Sequence, residues 1–443
     1  MENKNELKKN LGISTAMATV IGCVIGSGVF FKPQAIYTAT GGAPGLGMYA
    51  WLITGLICIA AAMTFAEVAI MIPKTGGMVV YLEEAFSKKT GFLAGWMQSI
   101  VFYPAMISAL AVVFAEQASL FVGDGYKIPI AIGAIILIMI LNNLGSAVGG
   151  GVQVLFTICK LIPLILLMIF GFIKGSGTNP VFSPIIAEGL SPAIVLGQLM
   201  VAILFAFEGW TNVGAIAGEM KNPGKDLPIA IVGGVSGIMA IYFIINLAYL
   251  WVLPADQLMT LSAPASAVAI KIFGNVGGKL ISVGIMISVF GAANGFVLSG
   301  SRVTYSLAEE GLLPFSKQLA KLNKTQVPTN SVLTVGGLGC IFALSGQFNT
   351  LTDLAVFSCW IFYTLTFMAV IRLRKTQPNT PRSYKVPLYP VIPAIAIISG
   401  LYVIVNQLFM AGSTTRMLAI GSIIITLLGL PVYNRQSKSL KNK

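Results

Sequence analysis

Apolar positions along this chain come in long continuous runs, not in the broken stripe that marks a helix with one face in water. Several runs reach the roughly 20 residues that a helix needs to cross a bilayer. Short polar loops separate them. The pattern predicts an all-α polytopic membrane protein with twelve transmembrane helices, at about residues 12–40, 45–72, 91–122, 128–146, 149–174, 192–217, 228–253, 276–308, 328–346, 351–373, 387–411 and 416–434. Longer connections fall at 74–90, 254–275 and 309–327. Residues 78–87 read as a short amphipathic helix on the cytoplasmic side. The polar, small-residue segment 255–272 reads as an outside cap over the bundle.

Two of the runs are interrupted. The first carries Gly22, Gly26 and Gly28, with Ser27 between the last two. Glycine weakens a helix interior by roughly 1 kcal/mol relative to alanine. A helix that stops here frees backbone N–H groups, which hydrocarbon tolerates only when they face a cavity or a ligand. The N-terminus of the resumed half-helix then offers bare N–H groups and a positive dipole end, which suits a carboxylate. The other reading is that these glycines only let a neighbouring helix pack closely. The sixth run shows the same oddity, in Leu204-Phe205-Ala206-Phe207-Glu208-Gly209-Trp210-Thr211-Asn212. Spans one and six are five apart, so two units of five cross in opposite directions. Interrupted helices at matching positions of two such halves mark an inverted-repeat transporter with its site at mid-membrane. The expectation is a five-plus-five inverted-repeat (LeuT-type) fold with discontinuous helices one and six. Residues 12–174 form the first repeat, 192–373 the second and 387–434 two further helices, with cytoplasmic tails at 1–11 and 435–443.

Composition agrees. The 443 residues are 56% hydrophobic and 10% charged, with mean hydropathy +0.86, too apolar for an ordinary soluble chain. The runs lack the short alternating segments of a membrane barrel. The net charge of +13 does not point to nucleic acid. Its cations crowd the loops on the N-terminal side, among them Lys74, Lys88, Lys89, Lys221, Lys225, Arg374 and Arg382; Lys127, Lys174, Lys271, Lys279 and Arg416 fall opposite. That bias places both termini in the cytoplasm. No cleavable leader is read at the N-terminus. The five cysteines all lie in apolar runs and read as core residues. There is no histidine and no nucleotide loop, so no metal, no cofactor and no enzymatic activity are expected.

Charges inside the spans carry the rest. Lys160 sits midway along the fifth run, where an ammonium costs several kcal/mol unless it is paired or hydrated. It is either a fixed cation bonded to freed carbonyls at a helix break, in place of a bound ion, or a partner of Glu116 or Glu208. The Glu208 backbone carbonyl can accept a substrate ammonium. Its side chain reads three ways: proton carrier, cation selector, or an acid turned to a polar neighbour outside the site. Glu67 reads as a cytoplasmic-side pairing residue, and Lys32 stands beside the first break. Tyr242 and Asn246, one turn apart, either bond across the bundle or serve as helix–helix glue. Phe205, Phe207 and Trp210 either close over a substrate or simply pack.

Several motifs have a known look: Ile25-Gly26-Ser27-Gly28-Val29-Phe30, Ile72-Pro73-Lys74-Thr75-Gly76-Gly77, Phe205-Ala206-Phe207-Glu208-Gly209-Trp210, Gly218-Glu219-Met220-Lys221-Asn222-Pro223 and Ser383-Tyr384-Lys385-Val386-Pro387. Together they resemble the amino acid–polyamine–organocation superfamily, and within it the bacterial branch of the L-type amino acid transporter family. The kind matched is the alanine–serine–cysteine and serine–threonine exchangers. The resemblance implies that the substrate carboxylate binds Ser27 and Gly28, with Gly26 allowing its approach. It implies that the ammonium meets carbonyls of Val24 or Ile25, and of Phe205 and Glu208, with Ala206, Phe207 and Gly209 completing the second break. Phe205 matches a gating aromatic. Lys160 matches a lysine that stands where relatives bind sodium, with Tyr242 as its partner across the bundle. The loop Gly123-Asp124-Gly125-Tyr126-Lys127 lacks the cysteine by which animal members hold a heavy chain, so no such partner and a working monomer are implied. The implied activity is sodium-independent exchange of small neutral L-amino acids across the plasma membrane: alanine, serine and cysteine, with threonine or glycine as further candidates. Proton-coupled symport, or amino acid binding by a receptor without transport, are the alternatives. The acid at Glu208, where many relatives have a small residue, bears on strict preference for neutral substrates.

Overall fold

The computed structural model describes residues 12–441 apart from 73, 75, 145 and 411. The tail expected at 1–11 and the last two residues of 435–443 lie outside these. Among the described residues every regular element is helical. Ten helices are long and apolar enough to cross a membrane, and two shorter apolar ones, Pro192–Ala206 and Thr329–Ala343, stand where spans six and nine are expected. Large apolar side chains are exposed on the outer helices, for example Ile136, Leu137 and Ile140, and Leu155, Ile158 and Ile162. In water such a belt would be a liability; against lipid tails it is the favourable surface.

The first span is two half-helices, α1 (Ile13–Val24) and α2 (Gly28–Ala39). It is followed by α3 (Pro44–Met71), which starts on a proline whose missing N–H would be unbonded there anyway. The face on which α1 begins and α3 ends is here the proximal face; α2 runs to the distal face. The expected amphipathic helix is α4 (Met78–Ala85). Met78, Val79, Tyr81 and Leu82 are buried, so it wedges into the proximal end of the bundle. Next come α5 (Lys88–Val122), α6 (Lys127–Asn143) and α7 (Ser146–Lys174).

The sixth span is α8 (Pro192–Ala206), then a turn, then a tighter 3₁₀ helix at Trp210–Glu219. The second half of this interrupted span is therefore not an α-helix. After it come α9 (Pro223–Val252) and α10 (Pro264–Glu309). α10 kinks at Gly274, whose φ of 72° a side-chain-bearing residue rarely adopts. The part before the kink, with the short helix Ala255–Leu258, forms the expected cap. It rests on the distal end of α2, where Thr38 Oγ1 lies 3.2 Å from the Met259 carbonyl and 2.8 Å from the Gln34 carbonyl of its own helix. The chain closes with α11 (Thr329–Ala343), α12 (Phe348–Thr376), α13 (Val391–Met410), α14 (Ser413–Leu427) and α15 (Gly429–Lys441).

The two interrupted spans lie side by side. α1 packs against the 3₁₀ helix, and α2 packs against α8. First half thus meets second half, so the spans run antiparallel, as an inverted repeat requires.

Candidate functional site

At the first break, Ile25, Gly26 and Ser27 leave the helical path. The Gly26 N–H turns back onto the Val24 carbonyl at 2.7 Å. The N–H groups of Ser27, Gly28 and Val29 donate no backbone hydrogen bond among the described residues. These are the bare donors at the start of α2 that an anion would satisfy. The Ser27 hydroxyl is buried there without a partner among the described residues.

At the second break, Glu208 N–H bonds the Phe205 carbonyl at 3.0 Å, and Gly209 takes a φ of 119°. The two breaks interlock through their glycines. A β-carbon on Gly209 would sit 2.9 Å from Cys23 Cβ, at the end of α1. One on Gly28 would overlap Ala206, the last residue of α8. Each break therefore accepts the other span's helix end where only glycine leaves room.

Lys160, on α7, is wholly buried. Its ammonium donates to the carbonyls of Gly22 at 2.6 Å and Ile25 at 2.8 Å. Ser288 also reaches the Ile25 carbonyl, at 3.4 Å. The carboxylates weighed as partners are engaged elsewhere. Glu116 pairs with Lys127 at 3.5 Å, and Glu208 accepts from the Tyr363 hydroxyl at 2.6 Å. Lys160 thus serves the freed carbonyls and not a carboxylate.

The Tyr242 hydroxyl lies 3.1 Å from the Val24 carbonyl and 3.0 Å from the Ala206 carbonyl. With one proton it donates to one of them at a time, and it bridges the two breaks. Tyr242 and Lys160 hold different carbonyls of the first break and do not bond to each other. Among the described residues Asn246 donates only to the Tyr242 carbonyl of its own helix, at 2.8 Å, so of the two it is Tyr242 that bonds across the bundle.

This geometry sits on a sequence that matches the amino acid permease family model over residues 11–429. The chain belongs to the amino acid permease family. It is 41% identical to the serine/threonine exchanger SteT of Bacillus subtilis (strain 168), over 98% of both chains. It is 29% identical to the mouse b(0,+)-type amino acid transporter 1, over 90% of this chain and 82% of that one. It is 27% identical to the human cystine/glutamate transporter, over 98% and 86%. The chain is an amino acid transporter of this family, and its long apolar helices are membrane spans.

In this permease, aromatic layers close the breaks on both sides. Distally, the Phe205 ring meets Phe348 edge-on at 5.4 Å, and Phe348 meets Phe31 at 6.0 Å. Proximally, Phe65 meets Tyr81 at 5.4 Å and Trp210 at 5.2 Å, and Trp210 meets Tyr363 at 5.8 Å. Phe207 packs on the Tyr242 ring at 5.2 Å. Val24, Ile25, Ser27, Phe205, Ala206, Phe207 and Glu208 are all at most 4% exposed.

Glu208 accepts from Tyr363 and, at 3.2 Å, from the Gly209 N–H; the Tyr363 oxygen is 2.8 Å from Thr211 Oγ1. Its side chain is turned to α12, where Tyr363 stands.

Sequence reasoning placed Lys32 beside the first break but assigned it no role. Its ammonium is buried on α2, bonded to Thr352 Oγ1 at 2.8 Å and Asn349 Oδ1 at 3.1 Å, and it lies 5.0 Å from the centres of the Phe205 and Phe348 rings. The signal was available: Lys32 is four residues past Gly28, on the same helix face, and is a charge inside an apolar run. Among the described residues no three His, Cys, Asp or Glu side chains gather to hold a metal ion.

Proposed function

We propose that this permease is a sodium-independent exchanger of small neutral L-amino acids such as alanine, serine and cysteine, with threonine or glycine as further candidates. One observation carries the reading. The Lys160 ammonium occupies the Gly22 and Ile25 carbonyls, the freed acceptors that would otherwise attract a coupling cation. A charge fixed to the protein there needs no ion to travel with the substrate.

In this reading the substrate carboxylate binds the Ser27, Gly28 and Val29 N–H groups with the Ser27 hydroxyl. The ammonium takes the Phe205 and Glu208 carbonyls. Ile25 is a poor acceptor for it, because Lys160 and Ser288 already use both lone pairs of that carbonyl. The distal aromatic layer of Phe31, Phe205 and Phe348 and the proximal layer of Phe65, Tyr81, Trp210 and Tyr363 open in turn. The distal face is then the outside of a plasma membrane, with both termini cytoplasmic. Residues 12–174 and 192–373 are the two repeats, and the unit works as a monomer without a heavy chain.

The test is uptake of labelled alanine by proteoliposomes with and without internal alanine, in sodium and in choline. Exchange predicts uptake only into loaded vesicles and equal rates in both salts. Equal uptake into empty vesicles would overturn it. Glu208 beside Tyr363 favours proton-coupled symport as the second reading, and a pH gradient driving accumulation into empty vesicles would establish that instead. Binding without flux would point to a receptor.

A further inference from the structure

On the proximal face a groove of about 540 Å³ runs between the end of α10, the connection that follows it and α15. Ala308, Leu313, Ala320 and Leu440 give it an apolar lining. Leu440 settles against the Gly311 turn, where a β-carbon would stand 3.0 Å from its Cδ2. The groove lies at the edge of the lipid. From Ser413 to Leu440 the last span covers 28 residues, about 42 Å of helix against about 30 Å of hydrocarbon. Its final turns therefore stand in the headgroup region or beyond. The Tyr433 ring, 5.3 Å from Phe92, marks the boundary, as interfacial aromatics do.

The charges around this groove differ from those elsewhere on the same face. Arg374 and Arg382 are paired with Glu67. Lys317 lies in the groove wall, Lys321 adjoins Ala320, and Arg435 and Lys438 adjoin Gln436 and Ser439. All four are exposed, and none forms an ion pair among the described residues. The one carboxylate in the wall, Glu309, accepts from the Tyr305 hydroxyl, and Glu310 beside it lies near Glu83 and Lys88. Phe315 is 77% exposed at a φ of 58°, a backbone conformation that a bulky residue rarely adopts. A ring held outward at that cost gains its burial from something other than the chain. An apolar lining with unpaired cations on both rims complements an amphiphile with a negative head.

We propose that this groove is a binding site for an anionic phospholipid of the proximal leaflet. Lys317 and Lys321 on one rim and Arg435 and Lys438 on the other take the phosphodiester. Leu313 and Leu440 line the glycerol and the first acyl carbons, and the Phe315 ring enters the leaflet beside them. A lipid so held fastens the end of α15 to the connection between α10 and α11. A zwitterionic lipid offers the same acyl chains but adds a cation that the rims repel, so the site selects by headgroup charge. The site stands whichever amino acid the permease carries.

The test is native mass spectrometry of the purified full chain in detergent, titrated with dioleoylphosphatidylglycerol or dioleoylphosphatidylcholine. The expected result is one tightly retained phosphatidylglycerol per chain, preferred over phosphatidylcholine by about tenfold or more. Lys317→Gln combined with Arg435→Gln and Lys438→Gln should remove the preference, and Phe315→Ser should weaken retention of both lipids. Lys221→Gln combined with Lys225→Gln and Lys385→Gln removes the same charge from exposed positions elsewhere and should leave the preference intact. Equal retention of the two lipids by the wild type overturns the site. So does a preference that survives the groove variant or falls equally in both triple variants. Full competition by soluble glycerol phosphate would make the groove a phosphate site and overturn the lipid.

Discussion

Gly28 and Ala206 are packed so closely that a β-carbon at position 28 would overlap the Ala206 backbone. The start of one half-helix is seated on the end of another through a residue with no side chain. Gly28→Ala must push α2 off α8, and overpacking of this kind costs about 1–3 kcal/mol. If exchange depends on the N–H groups at this position, alanine exchange falls roughly 10- to 100-fold while detergent size-exclusion behaviour stays normal. Adding Ala206→Gly recovers only part of it, because the Ala206 Cα is itself in the way. Wild-type exchange in Gly28→Ala would separate substrate binding from this contact.

Lys160→Gln removes a charged donor shared by two carbonyls and leaves a side chain of similar reach. Hydrogen bonds to charged groups contribute about 1.5–3 kcal/mol each. The Gly22 and Ile25 carbonyls would be left short of donors in a dry site, and exchange should fall by about tenfold or more. Wild-type protein should ignore the choice between sodium and choline. Sodium should restore part of the lost alanine binding in Lys160→Ala, since the exposed carbonyls are cation ligands. Wild-type rates in both variants would reduce Lys160 to a packing residue.

How much of this was legible beforehand follows from which forces act along the chain and which across it. The break at Gly26 and Gly28, the break at Glu208 and Gly209, and the odd charge of Lys160 are local departures from an apolar run, so a one-dimensional reading finds them. The interlocking of Gly28 with Ala206 and of Gly209 with Cys23 needs two spans to be superposed. The 3₁₀ geometry of Trp210–Glu219 likewise has no marker in residue type. The same holds for Glu208, whose partner Tyr363 is 155 positions away. Lys32 was visible as a charge, but its partners Asn349, Thr352 and Asp353 belong to a helix more than 300 residues later.

Tyr242→Phe tests the bridge between the breaks. The ring keeps its contacts with Trp51 at 5.6 Å and Phe207 at 5.2 Å, so only the hydroxyl is lost. A neutral buried hydrogen bond contributes about 1 kcal/mol net. Exchange should drop by roughly fivefold. Tyr242→Ala, which also empties the ring's place, should lose much more. Equal loss in both would mean that the hydroxyl alone matters.

Tyr363→Phe removes the hydroxyl that bonds the Glu208 carboxylate at 2.6 Å. The carboxylate keeps the Gly209 N–H at 3.2 Å as its remaining donor. Leaving a buried charged acceptor short of a donor costs about 1–3 kcal/mol or more. The melting temperature in detergent should fall by several degrees, and Tyr363→Phe combined with Glu208→Gln should be more stable than Tyr363→Phe alone. An unchanged melting temperature in Tyr363→Phe would show the carboxylate to be satisfied without the phenol.

Glu67, on α3, is wholly buried and accepts from Arg374 Nε at 2.7 Å and Nη2 at 2.6 Å, from the Val386 N–H at 2.7 Å, and lies 3.5 Å from Arg382 Nε. One carboxylate thus ties α3 to the end of α12 and to the loop that follows it. Removing one member of a buried ion pair typically costs about 3–5 kcal/mol, because the partner is left charged and unpaired. Arg374 is partly exposed and water can take over its role, so Arg374→Ala should fall below that range. Glu67→Ala strands two guanidinium groups and a backbone N–H together, and Arg382 is only 5% exposed. It should lower the melting temperature more than Arg374→Ala does, and Glu67→Gln should land between them by keeping one acceptor oxygen. Thermal melts of the three variants in one detergent decide the order. Arg374→Ala proving the more damaging would mean that the arginine's stacking on Tyr389, at 3.9 Å, outweighs its charge pairing.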